Sequence, residues 1–167
     1  MAELMGVDYI YFPDHEGILE TPMTGKYKYF PKGIGTSAKD IQELGSVKKL
    51  IALGQLTSVE PAEYLEKQHK VPFTLLPMPI GVSLTDKYLM ALRDMSYQEI
   101  PQILENERGR LVDLMLDSHS YTYNKKAAIY GDPDIVYGFT SLCIEMGMIP
   151  KYVITGTPKA SFVKQIK

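Results

Sequence analysis

From residue 36 onward, apolar positions alternate between short continuous runs and helical spacing, so the chain reads as strand and helix in alternation. The spacing predicts a helix over Thr36 to Leu44, where Ser37 and Asp40 stand as a capping box. A strand over Val47 to Leu53 follows, then a helix over Pro61 to His69 with proline at its first position. Phe73 to Leu76 is a short buried strand closed by Pro77 and Pro79. Ser83 and Asp86 repeat the capping-box spacing before a helix over Asp86 to Met95. A longer helix runs from Pro101 to about Ser120. Lys126 to Tyr130 reads as a strand, Pro133 to Met146 as a helix and Tyr152 to Thr155 as a strand. Strands separated by helices imply parallel sheet and βαβ units. The fold class is therefore α/β, with Rossmann-like units of two domains joined by helices. Residues 1–82 read as the C-terminal part of one domain, 83–123 as connecting helices and 124–167 as the start of the next.

The ends are less regular. Ala2 to Gly6 reads as the last turn of a helix closed by glycine and leading into a strand over Val7 to Phe12. Ala160 to Lys167 begins an amphipathic helix, with Phe162, Val163 and Ile166 on one side. A stub of about eight residues is too short to be stable without tertiary support. The expectation is an excised piece of a larger protein, cut within elements at both ends. Apolar helix faces and strand edges exposed by such cuts make self-association expected.

Composition narrows the function. Apolar residues make up 45% and charged residues 23%, ordinary for a globular domain. Eighteen basic against twenty acidic residues leave a net charge of −2, with no basic stripe to track phosphates, so nucleic acid is not an expected partner. No apolar run approaches the ~20 residues of a membrane span, and no secretory signal opens the chain. The expected compartment is the cytoplasm. The single Cys143 excludes an internal disulfide, and its place in an apolar helical pattern makes it a small packing residue. The twelve tyrosines are spread along the chain as packing residues.

Few residues carry candidate chemistry. Gly33-Ile34-Gly35-Thr36-Ser37-Ala38 fits the spacing of a dinucleotide-binding turn, but Pro31 breaks the segment before it, where a buried strand is required. Glycines of an ordinary loop account for the match. In Gly131-Asp132-Pro133-Asp134, Asp132 suits an N-cap, Pro133 the first helical position and Asp134 the positive end of the helix dipole. His15 and His69 lack partners at catalytic spacing. Asp113 and Asp117, four apart, place two carboxylates on one helix face, with Arg110 and Asn106 on the same side. They read either as a solvated acidic face or as half of a divalent-cation site completed from elsewhere. His119 points away from this pair and is a packing or interface residue rather than a third ligand. No nucleophilic or acid/base constellation is present, so no catalytic residue is assigned.

Several segments carry a specific resemblance. Leu76-Pro77-Met78-Pro79-Ile80-Gly81, Thr85-Asp86, Leu89-Met90, Glu107 to Asp113, Asp117-Ser118-His119 and Gly131-Asp132-Pro133-Asp134 follow one another in the order and spacing of nitrogenase molybdenum-iron protein beta subunits. The match is strong over residues 74–150 and looser over 3–73, where Met5-Gly6-Val7 and Glu20-Thr21-Pro22 fit. The resemblance implies an α2β2 oxidoreductase that reduces dinitrogen to ammonia with electrons from a separate iron protein. It implies an iron-sulfur P-cluster shared with the alpha subunit, and a molybdenum-iron cofactor held by the alpha subunit. Cys143 matches no ligand of either group, so no cofactor-binding residue is expected here and the chain alone is expected to be inactive. Asp113 and Asp117 match two aspartates that help bind a mononuclear divalent cation where two beta subunits meet; the other ligands come from the opposite subunit. A cofactor-assembly scaffold paralogue, a vanadium- or iron-type beta subunit and an unrelated ligand-binding α/β domain are the alternatives.

Overall fold

A computed structural model describes residues 1–13, 35–157 and 160–166. The elements in chain order are α1 (Ala38–Glu43), β1 (Leu50–Leu53), α2 (Val59–His69), β2 (Phe73–Leu76), α3 (Val82–Ser96), α4 (Gln102–Thr122), β3 (Lys126–Gly131), α5 (Pro133–Glu145), β4 (Ile149–Thr155) and α6 (Ala160–Ile166). Strands β1 and β2 pair in parallel, as do β3 and β4, and each pair is bridged by a helix, α2 or α5. These are two βαβ units of an α/β fold. Helices α3 and α4 connect them.

Local chemistry explains most boundaries. Ser37 caps α1 and Asp40 returns the bond, both halves of the expected capping box. The Ser37 hydroxyl first, and then the Ser37 amide, hold the Asp40 carboxyl below its ordinary value. Strand β1 starts at Leu50 rather than Val47 because its partner ladder starts at Phe73, directly after Pro72. Helix α2 starts at Val59, so Pro61 is its third residue rather than its first. Proline fits there because the first four helical amides have no intrahelical acceptor. Strand β4 starts at Ile149, three residues earlier than the sequence suggests. Ala127 faces Pro150 while Ala128 faces Tyr152, leaving Lys151 as the extra residue of a bulge beside a proline that cannot donate.

Two expectations fail at the first half of the chain. Glu3–Met5 form one 3₁₀ turn closed by Gly6 in the left-handed region, but Val7 to Phe12 join no strand ladder. No strand among the described residues pairs with that segment, and Tyr9, Tyr11 and Phe12 are half exposed. Helix α3 starts at Val82 behind Gly81, four residues before Asp86, so Ser83 and Asp86 form no capping box. Ser83 is spent on Glu145, and Asp86 accepts two bonds from Arg108 of α4 at 2.8 and 2.9 Å.

Two small cores hold the units. Met5, Leu89 and Leu92 are buried together, with Val7, Ile51 and Leu104 packed around them. Leu56, Val136 and Phe162 form the second, joined by Ile129 and Val153 from the inner face of β3 and β4. Leu56 belongs to the first unit and Val136 to the second, so the second core lies across the junction.

Candidate functional site

Helix α4 carries the sequence-predicted metal pair. It buries none of its residues, although Leu104 near its start rests against the first core. Arg108 grips Asp86 of α3, and at the far end Thr122 donates to the Met146 carbonyl at 2.8 Å. Asp113 and Asp117 are both exposed on this helix. Helical geometry sets their Cβ atoms about 5–6 Å apart, close enough for one cation to take an oxygen from each. Arg110 does not neutralise them, because its guanidinium pairs with Glu107 at 2.7 Å. Asn106 is likewise engaged elsewhere, accepting from Gln102 at 3.1 Å. Among the described residues, no set of three or more His, Cys, Asp or Glu side chains could enclose a metal. Two hard donors suit a divalent cation that completes its shell with water or ligands from another chain.

The two described histidines are exposed and lie against glycines. His119 stacks on Tyr123 with ring centroids 5.0 Å apart, and its Nε2 lies 2.8 Å from where a Cβ on Gly147 would stand. His69 lies against Gly45 in the same manner, 2.6 Å from that virtual Cβ. His15, Gly33 and Ile34 fall outside the described residues. Within the rest of the Gly33–Ala38 motif, the Ser37 side chain is already used to cap a six-residue helix that begins at Ala38. Cys143 is half-buried in α5, and that burial pushes its thiol above the ordinary value. The thiolate is therefore scarce at neutral pH, and alkylation of the folded chain at pH 7 is expected to run severalfold slower than after denaturation. Equal rates before and after denaturation would contradict the burial.

Two carboxylates that the spacing did not single out as partners dominate the junction. Asp132 caps α5 as expected, accepting from the Asp134 amide at 3.3 Å. Asp134, however, does not simply sit in the field of its own helix. Its buried carboxylate accepts from the Leu56 and Thr57 amides, both at 2.9 Å, and from the Thr57 hydroxyl at 2.6 Å. Glu145, at the other end of α5, accepts from the Val82 amide at 2.8 Å, the Ser83 amide at 3.0 Å and the Ser83 hydroxyl. A glycine makes room at each place. A Cβ on Gly54 would lie 2.9 Å from an Asp134 oxygen, and one on Gly81 would lie 2.7 Å from a Glu145 oxygen. The only hint in the sequence is a hydroxyl residue shortly after each glycine. The distant carboxylate leaves no local mark.

The family model for nitrogenase component 1 type oxidoreductases matches residues 1–167. The chain belongs to that family. A nitrogenase molybdenum-iron protein beta chain of Clostridium pasteurianum is 46% identical over 166 residues, 99% of this chain and 36% of that protein. The molybdenum-iron beta chain of Frankia alni is 38% identical over 162 residues, 97% and 30% of the two chains. An iron-iron protein beta chain of Rhodobacter capsulatus is 33% identical over 146 residues, 87% and 32% of the two. The solved structure "Nitrogenase Cp1 at pH 6.5" superposes with a TM-score of 0.92 at 46% identity, covering 98% of this chain and 36% of that one. The nitrogenase component 1 fold is thus the fold of this chain. It spans about a third of the length of these relatives. No helix among its described residues is long and apolar enough to cross a membrane.

Proposed function

We propose that this chain works as a segment of a beta-type subunit in a molybdenum-iron nitrogenase, an oxidoreductase reducing dinitrogen to ammonia. The supporting observation is an identity of 46% sustained over 99% of the chain. In this reading the P-cluster and the molybdenum-iron cofactor are held outside the segment. The segment itself supplies scaffold and a subunit contact. Residues 1–82 complete one Rossmann-like domain, 83–123 connect, and 124–167 open the next. Its partners are an alpha subunit, a second beta subunit and the iron protein, in the cytoplasm. The exposed outer face of β3 and β4, with Tyr130, Tyr152 and Ile154, supports self-association of the segment on its own.

The test is reconstitution. The beta-type polypeptide containing this segment, assembled with an alpha partner, its clusters and the iron protein with ATP, is expected to form ammonia from dinitrogen. A cluster-loaded complex that forms none and instead transfers cofactor to an apo-protein would establish the assembly-scaffold alternative. Elemental analysis of the same complex separates the molybdenum, vanadium and iron types.

Asp113 and Asp117 supply two oxygens to a mononuclear divalent cation between two beta subunits. Asp113 and Asp117 would hold that cation through their carboxylate oxygens, and its charge would offset theirs at the contact. Changing both residues to Asn in the assembled complex is expected to lower its content of that metal and loosen the beta–beta contact. Unchanged metal content with unchanged assembly would remove the assignment.

A further inference from the structure

Helix α5 meets the first βαβ unit at both of its ends. Asp134 binds the Leu56–Thr57 segment that follows β1, and Glu145 binds the Val82–Ser83 segment that follows β2. Between them Gly138 lies against Ile80, where a Cβ would come within 2.7 Å of the Ile80 Cδ1. The helix therefore rests across the carboxyl ends of β1 and β2, the place where open α/β sheets take their ligands. Eleven residues at about 1.5 Å each set its two carboxylates about 16 Å apart. Glu145 sits at the start of α3, the position where a phosphate would be held, and Asp134 sits on the turn just ahead of α2; each receives two amides and one hydroxyl.

The same arrangement occurs twice: a glycine with positive φ, a hydroxyl residue two or three positions later, and a carboxylate of α5 seated between them. Gly54 has φ +99° and Gly81 φ +82°. The two seats lie in different connections of the first unit, while both carboxylates ride on one rigid helix. A helix gripped at two points cannot release one end without straining the other.

We propose that α5 is a two-point latch: Asp134 and Glu145 together fill the ligand crevice of the β1–β2 sheet and lock the two units into one body. The competing picture is two independent helix caps that share a helix by accident. The two differ in whether an effect at one end reaches the other.

Hydrogen exchange in the intact protein decides between them. Glu145→Gln keeps the shape of the side chain but removes its charge and one acceptor. It is expected to speed exchange at Val82 and Ser83 at least tenfold, and at Leu56 and Thr57 at least threefold. Asp134→Asn is expected to give the mirror pattern. Acceleration confined to the substituted end would establish independent caps and overturn the latch, as would no acceleration at either end. Glu145 is only partly buried, so Glu145→Gln carries the test by itself if Asp134→Asn does not fold.

Discussion

Asp134→Ala is expected to lower the stability of the chain by about 3–5 kcal/mol, far more than an ordinary surface substitution. The carboxylate is 4% exposed and is the acceptor for two amides and a hydroxyl. Removing it leaves the Leu56 and Thr57 amides facing a small cavity with no acceptor. A buried donor left unpaired costs about 1–3 kcal/mol, more than the hydrogen bond contributed when made. Asp134→Asn keeps one carbonyl oxygen and turns an amide toward the other donor, so roughly half that loss is expected. Denaturant unfolding checks this: the midpoint should fall while the slope stays unchanged. A loss below about 1 kcal/mol for the alanine variant would show that water satisfies the loop amides.

Gly81→Ala carries the second large effect, about 3 kcal/mol, and its cause is the backbone as much as the contact. Gly81 lies at φ 82°, ψ 179°, a region open essentially to glycine alone. The added Cβ would also stand 2.7 Å from a Glu145 oxygen. The carboxylate can swing away only by giving up its bonds to Val82 and Ser83. Gly109→Ala in α4 is the control, because a Cβ there meets nothing within 4 Å. It is expected to stabilise by up to about 1 kcal/mol, the helix propensity difference. If the two glycine variants lose stability equally, the conformational argument at Gly81 fails.

What the sequence disclosed follows the distance between partners. The Ser37–Asp40 capping box was legible because both halves lie within three residues. Phe73 to Leu76 was legible because prolines and an apolar run mark it locally. The start of α3 was not, because its cap is Glu145, 62 residues from Ser83. Val7 to Phe12 has a strand-like pattern, but pattern alone does not supply a neighbouring strand. At the candidate site, spacing puts Asp113 and Asp117 on one helix face and leaves a solvated acidic face and half of a cation site both open. Their proposed role as ligands came from the order of the surrounding motifs. In the sequence Asp134 reads as a local dipole partner, since nothing near it names Leu56 or Thr57.

The reach of the Asp134 bonds also bears on time. Its carboxylate meets the Leu56 amide across 78 residues, a separation whose closure is entropically costly and comes after local helices and hairpin-scale pairings. For bonds that form after the transition state, weakening them speeds unfolding and leaves the folding rate nearly unchanged, and that pattern is expected for Asp134→Asn in stopped-flow folding and unfolding rates. On that expectation, the Asp134 carboxylate governs how long a folded molecule persists rather than how quickly it is made.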